Sequence, residues 1–235
     1  MVRERAVHFS AVVRLSLLLA CTPAFAGNGA DGVKFLQSMD YPRAMTSFRA
    51  AADQGDASAQ FNLGVMYEHG QGTLRNYQLA MSWYTKAAAQ GYAPAQASVG
   101  VLYDLGRGTA KDYQQAFAWY AKAAAQGDAM GQNNLGTLYG LGTGVAQDHS
   151  EAVTWYRKAA AQGYAPAQFN LGMAYRKGQG VARDSVEAYK WMAIAERNGH
   201  GSAERGLEIM EAKMTPSQIG AAERRADEWM KAHKK

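Results

Sequence analysis

Cysteine is all but missing: Cys21 stands alone among 235 residues. The body of the chain therefore holds no disulfide, no thiolate metal site and no cysteine nucleophile. Proline is scarce too, 5 residues against 25 glycines. With abundant alanine, this balance suits many short helices in close contact, because small residues let helices approach and glycine ends them. The 5 histidines are scattered, and no two share helical ligand spacing. Charge of one sign is not concentrated either. The net charge is +5; residues 1–26 supply Arg3, Arg5 and Arg14 against Glu4, leaving +3 for the body. No basic stripe of the kind nucleic acid needs is present.

No long hydrophobic run occurs. The longest near the start, Leu15–Cys21, is far short of the ~20 residues of a membrane-spanning helix. It follows a basic stretch and precedes Ala24-Phe25-Ala26. That order is expected to be a secretory signal over 1–26, cleaved after Ala26. Leu18-Leu19-Ala20-Cys21 also resembles a lipobox. Acylation of Cys21 would tether the chain to a membrane.

What the chain does have is a period. Leu63, Val99, Leu135 and Leu171 fall 36 residues apart, and so do Gly64, Gly100, Gly136 and Gly172. Tyr67, Tyr103, Tyr139 and Tyr175 keep the same step, as do Trp83, Trp119, Trp155 and Trp191. A repeat of that length marks a solenoid, which offers a long surface instead of a buried reaction chamber.

Within 59–94, Ala59, Leu63, Met66 and Tyr67 share one face of a first helix over 58–69. Gly64 in mid-helix costs about 1 kcal/mol against alanine, so its recurrence predicts close approach of a partner helix. The Gly70-Gln71-Gly72 element resembles a phosphate loop, but it ends a helix, and that pole repels anions. A second helix starts at Asn76, Asp112, Asp148 and Asp184, all favoured N-caps. Glu151 and Glu187 complete what reads as a capping box in two copies. Trp83, Tyr84 and the alanines around them predict a packed interior.

The repeats fade at both ends. Residues 27–58 form a degenerate N-terminal repeat; full repeats occupy 59–94, 95–130, 131–166 and 167–202; and 203–235 reads as C-terminal capping helices. There, one more first helix precedes a last helix opened by Thr215-Pro216-Ser217-Gln218. Its apolar face is Ile219, Ala222, Ala226, Trp229 and Met230, with Arg224, Arg225, Asp227 and Glu228 expected in solvent.

The pattern A-x-x-x-L-G-x-x-Y-x-x-G-x-G, followed by D-x-x-x-A-x-x-W-Y-x-K-A-A-x-Q-G, resembles the Sel-one-like repeat, a relative of the tetratricopeptide repeat. The resemblance implies an all-α fold, a right-handed α-solenoid of antiparallel helix pairs serving as a scaffold or adaptor. It also implies a concave face lined by first helices. Carried onto this chain, that face holds Phe61, Val65, Glu68 and His69; Ala97, Val101, Asp104 and Leu105; Asn133, Thr137, Gly140 and Leu141; and Phe169, Met173, Arg176 and Lys177. Beside them run Asn62, Ser98, Asn134 and Asn170, able to hold a peptide backbone. A cysteine-rich branch of the family is linked to β-lactam hydrolysis. This chain lacks the paired cysteines, so that activity is not carried over.

Two further classes compete. An enzyme would have to assemble a site across repeats, such as His69 with Asp104, or use Asp148-His149-Ser150, whose neighbouring side chains diverge on a helix. An envelope polysaccharide-binding protein would need exposed aromatics, for which Phe61, Phe169, Tyr92 and Tyr164 are the candidates. The expectation is a non-catalytic, secreted or periplasmic scaffold without cofactor or metal. It would bind a protein or peptide and neither nucleic acid nor, unless Cys21 is lipidated, a membrane.

Overall fold

The structure is a computed structural model that describes residues 28–233. The leader, Ala26 and Cys21 lie outside the described residues. Twelve α-helices and no strands make up what is described. They are α1 (Asn28–Gln37), α2 (Tyr41–Asp53), α3 (Ala57–His69), α4 (Tyr77–Ala89), α5 (Ala93–Leu105), α6 (Tyr113–Ala125), α7 (Ala129–Leu141), α8 (His149–Ala161), α9 (Ala165–Lys177), α10 (Ser185–Arg197), α11 (Ala203–Glu211) and α12 (Pro216–Ala232). From α1 to α10 they pack as consecutive pairs, each stacked on the next, in the all-α solenoid that the period predicts. α5 also touches α7, and α1 touches α3. Through Asn170 and Asn133, α9 also reaches α7, so first helices line one side of the stack, called the inner wall below.

Local chemistry fixes where each helix begins and ends. Asp56 and Asp128 cap α3 and α7, accepting from the backbone N–H of Ala59 at 2.8 Å and of Gly131 at 2.6 Å. Asn76, Asp112, Asp148 and Asp184 cap the second helices as expected. The reciprocal half of the predicted boxes is not made. The Glu187 carboxylate instead pairs with Lys190 at 3.1 Å and Arg225 at 3.0 Å. Both halves of a capping box are present at Thr215 and Gln218. Each first helix of the four repeats stops at a left-handed glycine, with φ of +69°, +65°, +68° and +70° at Gly70, Gly106, Gly142 and Gly178.

The mid-helix glycines have the predicted cause. A Cβ on Gly100 would meet the Tyr120 ring at 2.6 Å, and one on Gly136 would meet Tyr156 at 2.9 Å. In the last repeat Met192 replaces the ring, 2.9 Å from a Cβ built on Gly172. Tyr84, Tyr120, Phe48 and Met192 are fully buried by this docking.

The tryptophans sit at the core's margin. Trp83 is buried, whereas Trp119, Trp155 and Trp191 are half-covered. A lysine one turn on lies over the first three rings: Lys86 at 3.8 Å, Lys122 at 4.0 Å and Lys158 at 3.7 Å from the ring centroids. The lysine stem shields the indole while the ammonium meets its π-face.

The C-terminal end is paired differently from the four repeats. α12 packs on α10 instead of running along α11 as a second helix would. Ala222 and Ala226 are buried against Tyr189 and Met192. Arg224, Arg225, Asp227 and Glu228 are exposed as expected, and two of them also make ion pairs with α10: Asp227, which shares Arg197 with Glu223, and Arg225, which reaches Glu187.

Candidate binding face on the first helices

The inner wall is built from the same helix positions in each repeat, and the structure sorts the predicted residues into two groups. Asn62, Val65, Ser98 and Asn133 are buried, at 3%, 7%, 9% and 6% exposure, so no partner can touch them. Ala97 is likewise interior. Val65 joins the core around Leu63 and Tyr84, and Asn170 of the next first helix lies on Asn133, tertiary contacts that helical periodicity alone does not give. Phe61, Glu68, Val101, Asp104, Asn134, Thr137, Phe169, Asn170, Met173 and Arg176 are half-buried, and His69 is exposed.

Several of these side chains are already engaged. The Tyr84 hydroxyl donates to Glu68 Oε2 at 2.8 Å and the Tyr120 hydroxyl to Asp104 Oδ2 at 3.4 Å. Burial, with the carboxylate beside it, pushes both phenols well above the ordinary tyrosine value. Tyr156 faces Gly140 instead of an acid and bonds Thr137 at 3.3 Å. Asn170 donates to Asn133 at 2.9 Å, and Asn133 to Asn134 at 3.0 Å, which links α9 to α7. The asparagines therefore hold one another as well as lining the wall.

The four aromatics read as free for a sugar are largely spent on packing. Phe61 lies 5.6 Å from Tyr84 and 5.4 Å from Tyr92, centroid to centroid. Phe169 stacks on His200 at 4.4 Å. Tyr164 packs against the cluster around Leu171.

One set of residues escaped the sequence reading. Gln60, Gln96, Gln132 and Gln168 recur at the 36-residue step and are buried. Each donates to a carbonyl of the preceding second helix: Ala52, Ala88, Ala124 and Ala160, at 3.2 to 3.4 Å. Each also accepts from the amide that closes its own repeat: Gln90, Gln126, Gln162 and Asn198, at 2.7 to 2.8 Å. One side chain thus bolts three helices together. The recurrence itself was the available signal.

His200 occupies the position of Tyr164 one repeat on, between α9 and α11. Its Nδ1 is buried with no hydrogen-bond partner among the described residues, and burial lowers its pKa. A histidine whose folded value is depressed favours the folded state fully above its unfolded value of about 6.5 and loses that contribution as pH falls through the folded value. The thermal midpoint is expected to drop between pH 7.5 and pH 5, and His200→Tyr to remove part of that drop. Parallel midpoint curves for the two proteins would refute this assignment.

No three His, Cys, Asp or Glu side chains gather as a metal site among the described residues, and no helix there is long and apolar enough to cross a membrane. Stacked antiparallel helix pairs with one continuous inner wall define a tetratricopeptide-like helical repeat protein. The Sel1 repeat model matches residues 57–92, 93–128, 129–164 and 165–200. The chain belongs to the Sel1 repeat family. A Sel1 repeat protein from Oxalobacter formigenes is 31% identical, with a TM-score of 0.73 over 86% of this chain and 83% of that one. A protective antigen with the same fold from uropathogenic Escherichia coli is 31% identical, with a TM-score of 0.56 over 87% of this chain and 52% of that one. An immunity protein from Pseudomonas aeruginosa, 19% identical with a TM-score of 0.60 over 89% of this chain and 84% of that one, shares the fold. The rat DAP3-binding cell death enhancer 1 is 38% identical over 66 residues, so the match spans 28% of this chain and only 13% of that protein.

Proposed function

We propose that this Sel1 repeat protein is a non-catalytic scaffold, exported from the cytoplasm, that binds a protein partner along the inner wall of its first helices. The observation that carries the reading is the row Val101, Asn134, Thr137, Asn170 and Met173, half-exposed at matching helix positions on adjoining first helices. A row of that kind presents mixed apolar and hydrogen-bonding groups along a rigid wall, the chemistry that peptide-binding surfaces use. The titratable groups with shifted values are tyrosines, Asp128 and His200, and burial is the leading cause for every one of them. That pattern reflects packing, with no acid and base tuned against each other. Export rests on the order of basic, apolar and small residues before Gly27.

The test is site-specific photocrosslinking in the producing cell. A benzophenone side chain replacing Thr137 or Met173 is expected to give one discrete adduct; the same group at Ala118 or Thr154, on exposed faces of α6 and α8, should give none. Adducts of equal yield from both faces would refute the inner-wall reading. The chain recovered from the adduct is expected to begin at Gly27, and a retained leader would refute export.

A further inference from the structure

The inner wall changes character along its length, at the last turn of each first helix. In α3 and α5 the two wall positions are Glu68 with His69, and Asp104 with Leu105; in α7 they are Gly140 with Leu141, and in α9 Arg176 with Lys177. The carboxylates of Glu68 and Asp104 are fixed by the Tyr84 and Tyr120 hydroxyls, so negative charge is anchored there. Gly140 then carries no charge and no side chain; a Cβ there would only touch Ala152 Cβ at 3.5 Å and the Tyr156 hydroxyl at 3.6 Å. At the neighbouring wall position Leu105 is 46% exposed and Leu141 66% exposed. One exposed leucine is ordinary. Two at the same position of α5 and α7, first helices that touch each other, set apolar side chains one repeat apart on the same wall. Beyond them come Arg176 and Lys177, and the ion pairs among the described residues use other side chains.

We infer that this stretch reads a short extended segment of a partner protein by a fixed order of side chains. A basic residue sits by Glu68 and Asp104, an apolar residue lies on Leu105 and Leu141, and an acidic residue meets Arg176 and Lys177. The inference rests on the inner-wall reading above and adds to it the chemistry of the occupant. Charge complementarity sets the direction of the segment. Packed helices stand about 8–10 Å apart and an extended chain advances about 3.3 Å per residue. One repeat is therefore about three residues of the segment, which places its acid about three to four residues beyond its apolar side chain. The wall's two ends of opposite sign reject the reversed segment, since like charges would then face each other at both ends.

The probe is a displayed library of random twelve-residue peptides, selected on the purified chain and followed by fluorescence anisotropy. Selected peptides are expected to share an apolar residue and an acid at that spacing. Leu141→Asp, and separately Arg176→Glu with Lys177→Glu, should each weaken them about tenfold or more. The charge-reversed protein should prefer peptides with lysine in place of the acid. All three altered side chains lie at the wall surface, and unchanged thermal midpoints would confirm that the variants fold. Binders that ignore both variants, or that need no acid, overturn the inference and leave the inner-wall reading to the crosslinks. Crosslinks at Thr137 with no peptide selected overturn it as well, because the partner then presents a folded surface. Neither crosslinks nor peptides would sink both readings together.

Discussion

Replacing Gly108 with alanine is expected to cost about 3 kcal/mol of unfolding free energy. Gly108 has φ +71°, where an L side chain is strained by about 1–2 kcal/mol. A Cβ there would also drive into the Tyr77 carbonyl and stand 2.9 Å from the Gln78 nitrogen. Both contacts are backbone at the start of α4, and backbone cannot swing aside as a side chain can. Gly72, Gly144 and Gly180 make the same approach to Tyr41, Tyr113 and His149, so the loops of one repeat rest on the second helix of the repeat before. Gly91 separates the two causes. It has φ +84° but nothing within 4 Å of a built Cβ, so Gly91→Ala should show only the conformational strain. Urea unfolding of both variants decides the matter. Equal losses would mean that loop stacking contributes nothing.

Gln168→Leu should cost about 2–3 kcal/mol, although leucine fits a buried site by volume and polarity. Gln168 is fully buried, donates to the Ala160 carbonyl at 3.2 Å and accepts from Asn198 at 2.8 Å. Leucine would lose both hydrogen bonds, each worth about 1 kcal/mol, inside the seam between α8 and α9, while the Ala160 carbonyl keeps the Gly163 N–H at 3.0 Å. Asn198 is exposed and can turn to water, so Asn198→Ala should cost less. The location matters as much as the size. In a linear array each repeat answers mainly to its neighbours, so hydrogen exchange should rise in α9 to α12 before it rises in α3 to α6. A uniform rise, or a neutral Gln168→Leu, would refute the bolt.

The helices, their ends and the reason for Gly64 could be read from the chain because each depends on local chemistry or on a partner one helix away. The aspartate caps and the left-handed glycines are determined within five residues. What escaped depends on how one repeat is rotated on the next. Helical periodicity placed Asn62, Ser98 and Asn133 on or beside the groove, but packing of the repeats buries all three. Glu68 and Asp104 looked like free groove acids. Their partners, Tyr84 and Tyr120, reach them from the second helix 16 residues on. The α12 helix carries a sound amphipathic pattern, yet a pattern names a face and not its receiver. Arg197, Glu223 and Asp227 show the receiver to be α10. The glutamine bolts were the most readable of the misses, since Gln60, Gln96, Gln132 and Gln168 keep the period as faithfully as the leucines do.

Those bolts make every seam between α3 and α10 interchangeable. A 36-residue segment duplicated in frame after Gly127 would present, at either new junction, a glutamine donor, an alanine carbonyl and a closing amide already in register. The molecule can therefore grow or shrink by recombination in whole units, without any compensating change at the splice, and the length of its ruler becomes a heritable variable.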